Sequence, residues 1–127
     1  MAEEIPVFLA CAKADCYNTL IEKNTLLIAA DTIVWLDGKV IGKPEGRDDA
    51  VAMLSRLSGQ MHEVFTGVCL RSFTTERVFH SVSRVFFRPL AQEEIIYYVD
   101  THRPFDKAGA YGVQEWIGYI GVERIEG

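Results

Sequence analysis

"LLIAADTIVWLDGKVIGKP", residues 26–44, decides how this chain is read. The run from Leu26 to Leu36 is apolar almost throughout. A continuous apolar run without alternation predicts a strand buried on both faces. Asp37-Gly38 is a hairpin signal, "KVI" reads as a short second strand, and Gly42-Lys43-Pro44 breaks the chain again. Asp31 and Thr32 stand in the middle of the apolar run. An unpaired carboxylate in an apolar interior is costly or takes up a proton. A sequence that keeps one there pairs it, sets it on a metal, or uses it in chemistry. The alternative is a structural Asp satisfied by backbone N–H groups where the strand ends.

Helices and strands follow on both sides. Residues 5–22, "IPVFLACAKADCYNTLIE", read as a helix, with Ile5, Phe8, Leu9, Ala12, Cys16 and Leu20 at helical spacing and Pro6 in the first turn. Lys13 lies in mid-helix between apolar neighbours, either snorkelling to water or reaching a ligand. Residues 48–57 read as a second helix capped by Asp48 or Asp49, with Val51, Leu54 and Leu57 on one face and Ser58-Gly59 as its end. "HEVFTGVCLRSF" and "RVFHSVSRVFFRPL" read as an antiparallel pair joined by the turn "TTER". Residues 91–101 predict another helix, "DKAGAYG" a loop of small residues, and "WIGYIGVERI" a last strand region. Helices mixed with several strands give an α/β or α+β class.

The 127 residues suit one domain or part of one, and 49% apolar with 24% charged residues fits a globular chain. The net charge of −5 and the lack of a basic stretch argue against nucleic acid as a partner. No run approaches the ~20 apolar residues of a membrane span, and the N-terminus has no basic region of the kind a signal peptide carries. Cys11, Cys16 and Cys69 show neither C-x-x-C nor zinc spacing and read as reduced, buried thiols of a cytoplasmic protein.

Gly42-Lys43-Pro44 is not a P-loop, and read alone it is an ordinary turn or a lysine presented to a ligand. In "DKAGAYG" small residues allow close backbone approach, and Lys107 is placed to meet phosphate, although a plain loop fits as well. His62, His80 and His102 have no partner at metal or triad spacing. Trp35 and Trp116 read as packing residues.

Together "AADTIV", "GKP", "DDAVAMLSRLSG", "HEVFTGV", "YYVDT" and "DKAGAYGVQ" resemble, in order and approximate spacing, the Maf family of nucleoside triphosphate pyrophosphatases. The match runs from about Ala12 to the C-terminus. The resemblance implies an α/β fold with a mixed twisted sheet and flanking helices, shared with inosine-triphosphate pyrophosphatases. It implies hydrolysis of a nucleoside triphosphate to monophosphate and pyrophosphate with a divalent cation, Mg²⁺ or Mn²⁺. Asp31 matches the proposed general base and metal-side carboxylate. Thr32 and Gln114 match positions associated with substrate choice. Lys13, Lys43 and Lys107 match lysines that face the triphosphate. The "GVQ" ending resembles the branch acting on dTTP and UTP, and Gln114 offers donor and acceptor groups to a pyrimidine edge. Full-length members are implied to be homodimers.

Residues 1–127 are expected to form a single partial domain of this kind, truncated at both ends. The family's Ser/Arg-rich phosphate loop and closing segment have no counterpart in the sequence. A catalytically impaired remnant that binds nucleotide or a protein partner is the competing expectation.

Overall fold

The computed structural model describes residues 2–127. It is α/β, with a five-stranded sheet in the order β2-β1-β3-β4-β5 and four α-helices. The strands are β1 (Leu27–Leu36), β2 (Lys39–Ile41), β3 (Met61–Arg71), β4 (Glu76–Phe87) and β5 (Val122–Glu126). The helices are α1 (Glu4–Asp15), α2 (Arg47–Leu57), α3 (Gln92–His102) and α4 (Trp116–Gly121). Two compact units emerge. One holds the chain up to Ile33 with Phe65–Val82, and the other holds Val34–Val64 with Ser83–Gly127. β1, β3 and β4 each contribute residues to both. No helix among the described residues is long and apolar enough to cross a membrane.

In the first unit α1 packs through small residues. Ala10, Ala14 and Cys69 are fully buried, with Cys11, Leu27 and Ala29 against them. Gly67 of β3 permits this, because a Cβ there would collide with the Pro6 and Val7 backbone. The helix ends at Asp15 rather than at residue 22, so Lys13 sits in its last turn and not in mid-helix. The reason is local. Tyr17 N–H turns back to the Ala14 carbonyl at 3.0 Å, a 3-10 turn follows at Asn18–Leu20, and the side chains of Asp15 and Asn18 accept hydrogen bonds from Arg71.

β1 corrects the expectation of burial on both faces. Its first six residues alternate between exposed and half-buried, and only Ile33, Val34 and Leu36 are buried. Leu26 and Ile28 are 61% and 63% exposed. β2 covers only Val34–Leu36, so among the described residues the earlier part of β1 has a strand neighbour, β3, on one side alone. The hairpin signal is met: Asp37 and Gly38 both take positive φ, 51° and 77°, and Val34 pairs with Ile41.

The second unit is built on a larger core of Leu54, Leu57, Phe87, Ile95, Tyr98 and their neighbours. α2 has Gly46 as its N-cap with no side-chain cap bond, which corrects the expected cap at Asp48 or Asp49; both lie in its first turn, and Asp49 accepts the Glu45 N–H at 2.9 Å. Its most buried face is Ala50, Leu54 and Leu57, with Val51 partly covered. α2 and α3 are joined by a two-pronged Arg47–Asp100 pair, the Nε contact at 2.7 Å. Glu94 accepts the Ala91 N–H at the start of α3 and also binds Arg88. The segment "WIGYIG" is helix α4, not strand, and only Val122–Glu126 pairs with β4. A short apolar run does not by itself distinguish a strand from a helix turn.

Candidate functional site

α1 and β1 bring Lys13 and Asp31 together in the first unit. Lys13 Nζ donates to Asp31 Oδ1 at 2.6 Å and to the Ala30 carbonyl at 3.3 Å. The close α1–β3 packing through Ala10, Ala14 and Gly67 sets the helix height that allows this contact. The Asp31 side chain is 21% exposed, so the carboxylate is neither unpaired nor sealed in the core. That corrects the premise of a carboxylate in an apolar interior. The pair engages one carboxylate oxygen and stands where water and ligand have access. Thr32 is the next residue, and its hydroxyl lies 3.0 Å from that of Thr66 on β3.

A separate open depression of about 570 Å³ in the same unit is lined by Asn18, Ile21, Arg71 and the β3–β4 turn. Asp31 is not part of its lining. Arg71 there joins Asp15 and Glu76, and these hydrogen bonds hold its guanidinium firmly protonated.

The second unit gathers Lys43, Lys107 and Gln114. The Gly109 N–H donates to the Gly42 carbonyl at 3.0 Å, tying "DKAG" to "GKP". Gly109 takes φ +72° with Val34 directly beneath it, so a side chain there would be strained and crowded. Lys107 Nζ donates to Asp106 at 3.2 Å and lies 3.7 Å from Glu115 Oε1. Lys107 holds the Asp106 carboxyl below the usual range, and Lys43 acts in the same direction. Lys107, Gln114 and Glu115 converge on Gly112, where a Cβ would touch all three.

Sequence reasoning did not single out Tyr98, Glu115 or Thr66. The Tyr98 hydroxyl donates to Glu115 Oε1 at 2.9 Å and accepts the Gly112 N–H at 3.2 Å. Burial raises the Tyr98 phenol well above its ordinary value, so it stays a neutral donor. His102 Nδ1 lies 3.6 Å from the other Glu115 oxygen. The one signal was that Tyr98, Glu115 and Thr66 stand inside or directly beside the quoted motifs. His62 is buried as a packing residue, its Nε2 2.6 Å from the Tyr111 hydroxyl. Of the three thiols only Cys69 is buried. Cys11 is half-buried and Cys16 exposed, which corrects the expectation for those two.

A family model described as Maf-like protein matches residues 1–127. A protein of Bacteroides thetaiotaomicron named dTTP/UTP pyrophosphatase is 60% identical over 124 residues, covering 98% of this chain and 64% of that protein. Proteins with the same name from Phocaeicola vulgatus and Flavobacterium johnsoniae are 54% and 43% identical over 126 residues, covering 99% of this chain and 65% of each relative. The chain thus spans just under two thirds of the length of these curated relatives.

Proposed function

Because the chain belongs to the Maf-like protein family, we propose that it serves as a nucleoside triphosphate pyrophosphatase acting on dTTP and UTP. The observation that carries this reading is the partly exposed Lys13–Asp31 pair, 2.6 Å apart, on the "ADT" strand. Asp31 orients or deprotonates a water that attacks the α-phosphorus. The bond from that phosphorus to the bridging oxygen breaks, and pyrophosphate leaves with the electron pair. Lys13 sits beside the carboxylate as the cation that offsets charge on the phosphates. Lys43 and Lys107 have the same role in the second unit. Gln114 meets the base edge, and Thr32 contributes to substrate choice. The name dTTP/UTP pyrophosphatase borne by the relatives supports the pyrimidine preference.

A divalent cation, Mg²⁺ or Mn²⁺, belongs to this reading. Such ions are held by one or two carboxylates together with phosphate oxygens and water. Asp31 supplies one accessible carboxylate, a donor set that suits an ion arriving with the triphosphate. When bound, the ion adds positive charge to the phosphates. A cytoplasmic location and a homodimer complete the reading, and the chemical step depends on neither.

The test is Asp31→Asn, which is isosteric but removes the base. Pyrophosphate release from dTTP and UTP should fall by ~10²–10⁴-fold, with the far-ultraviolet circular dichroism spectrum unchanged. Turnover near wild type from a folded variant would remove Asp31 from the mechanism.

A further inference from the structure

Outside the Lys13–Asp31 cluster, one other group of side chains in the first unit has unused chemistry. The Sγ atoms of Cys11 and Cys69 and a carboxylate oxygen of Glu76 all lie within 4.8 Å of one another. They come from three elements: α1, β3 and β4. Two sulfurs and an oxygen no more than 4.8 Å apart need only small side-chain shifts to close onto three corners of a tetrahedron around a cation with metal–sulfur distances of ~2.3 Å and metal–oxygen distances of ~2.0–2.2 Å. We propose that Cys11, Cys69 and Glu76 form a binding site for a thiophilic divalent cation, Zn²⁺ in the first place, with water as the fourth ligand.

The ligand chemistry selects the ion. Thiolates favour Zn²⁺ over the hard, oxygen-seeking Mg²⁺ and Mn²⁺. The site is therefore distinct from any ion carried in by a triphosphate. Its surroundings are arranged for it. Arg71 binds Glu76 through Oε2 and fixes the carboxylate's orientation, as the outer partners of metal ligands do. A carboxylate has a second oxygen to give. With both thiols ionised, the two thiolates and the Glu76 carboxylate carry three negative charges. Zn²⁺ carries two positive charges, and the Arg71 guanidinium, shared between Glu76 and Asp15, carries a third, so most of the ligand charge is offset. Burial and the neighbouring Cys11 push the Cys69 thiol up, which disfavours the Cys69 thiolate while no ion is bound. The ligands bind as thiolates, so binding displaces thiol protons and the affinity rises with pH.

The consequence lies in the helix. Cys11 is two residues before Lys13, and its ring of neighbours is the small-residue packing that holds α1 on the sheet. A cation bridging Cys11 to Cys69 and Glu76 clamps the helix that presents Lys13 to Asp31. The same packing makes the site partly open. Glu76 is exposed and Cys11 half-buried, which leaves a way in for the ion.

The test uses the protein reduced with a phosphine, so that no disulfide competes. Zn²⁺ is titrated against a chromophoric chelator, and Co²⁺ is used as the optical probe. Wild type should bind one equivalent of Zn²⁺ and give a thiolate-to-cobalt charge-transfer band. It should also release protons as the ion binds and protect two of its three thiols from a thiol-reactive dye. Cys11→Ser and Cys69→Ser should abolish the band. Glu76→Gln should weaken Zn²⁺ by at least the ~10–100-fold typical of losing an outer partner. Cys16→Ser should change nothing, since Cys16 lies outside the cluster. If Cys69→Ser fails to fold, Cys11→Ser and the protection of thiols in wild type decide the question. Zn²⁺ affinity unaltered by Cys11→Ser, or protection of no thiols at saturating Zn²⁺, would overturn the proposal. So would a Cys11–Cys69 disulfide forming in air in a protein that binds no Zn²⁺ when reduced, which would make the pair a redox couple instead.

Discussion

The first unit packs through alanine, glycine and cysteine, whereas the second packs through leucine, phenylalanine and tyrosine. The difference extends to their polar groups. Lys13, Asp31, Arg71 and Glu76 form ion pairs at least partly open to water. Tyr98, Tyr111 and His62 are sealed in and make short hydrogen bonds. Small residues bring backbone close to backbone and place charged side chains with little area behind them. Large residues build stability. The first unit thus depends on geometry, and the second on buried area. Substitutions should separate the two dependences.

The largest stability effect is expected in the second unit. Leu54→Ala removes a fully buried side chain from between α2 and its neighbours. It should cost about 2–5 kcal/mol in unfolding free energy. In the first unit Ile28→Ala, at an exposed position, should stay within about 0.5 kcal/mol. Urea denaturation of both variants makes the comparison. Equal losses would show that the edge of β1 is covered in solution.

This contrast explains what the sequence could and could not tell. Periodicity and turn residues announced α2, α3, the β1–β2 hairpin and the β3–β4 pair, because each buries a regular pattern. The end of α1 was hidden because Asp15 and Asn18 are held by Arg71, more than fifty residues away. The two-faced burial predicted for β1 failed because a strand's exposure depends on its neighbours, which apolar content does not reveal. α4 reads as strand in the sequence because six apolar and glycine residues carry no period. For the proposed site, Asp31, Lys13, Lys43, Lys107 and Gln114 are named through motif resemblance alone. Glu115 and Tyr98 are not, since only the fold brings their side chains together.

The next effect is catalytic and belongs to the first unit. Lys13→Met keeps the aliphatic stem and removes the charge. Both members of the Lys13–Asp31 pair reach water, so stability should change by less than about 1 kcal/mol. Turnover of dTTP should fall by ~10²–10³-fold, the usual loss for one group that stabilises transition-state charge. A variant that loses stability but keeps its rate would reverse the contrast between the units.

Acid should act on the second unit through His62. It is buried against Phe87 and Tyr111, and among the described residues its Nδ1 has no hydrogen-bond partner. Burial lowers its pKa from 6.5 to about 4. A lowered histidine pKa means that the unfolded chain takes up the proton first. The contribution is therefore intact above pH 6.5 and is lost as the pH falls towards 4. The loss should be on the order of 3 kcal/mol. His62→Gln should be less stable at neutral pH but should show a flatter decline between pH 6.5 and 4. A wild-type stability curve with no His62-dependent slope in that window would show that the ring is not held neutral.

The smallest effect sought is one of discrimination, and it tests whether the second unit does more than hold the fold. Gln114 lies beside Lys107 and Glu115 around Gly112, near the surface of the unit. Its amide donates and accepts, so it can satisfy a pyrimidine edge with both functions at once. A purine presents a different pattern and leaves one of those groups unpaired. Gln114 is exposed in the free protein, and once a bound base shuts out water an amide group left unpaired costs about 1–3 kcal/mol, a roughly 5- to 150-fold preference. Gln114→Ala deletes the amide for every nucleotide alike. The ratio of kcat/KM for dTTP over dATP should fall by that factor, while unfolding free energy moves by less than about 0.5 kcal/mol. Asp31 and Lys13 are untouched, so the residual activity should keep its dependence on them. If the ratio holds and the rate falls equally for all nucleotides, Gln114 positions the phosphates rather than the base. Recognition would then rest with Thr32 in the first unit, where Thr32→Ala should lower the same ratio.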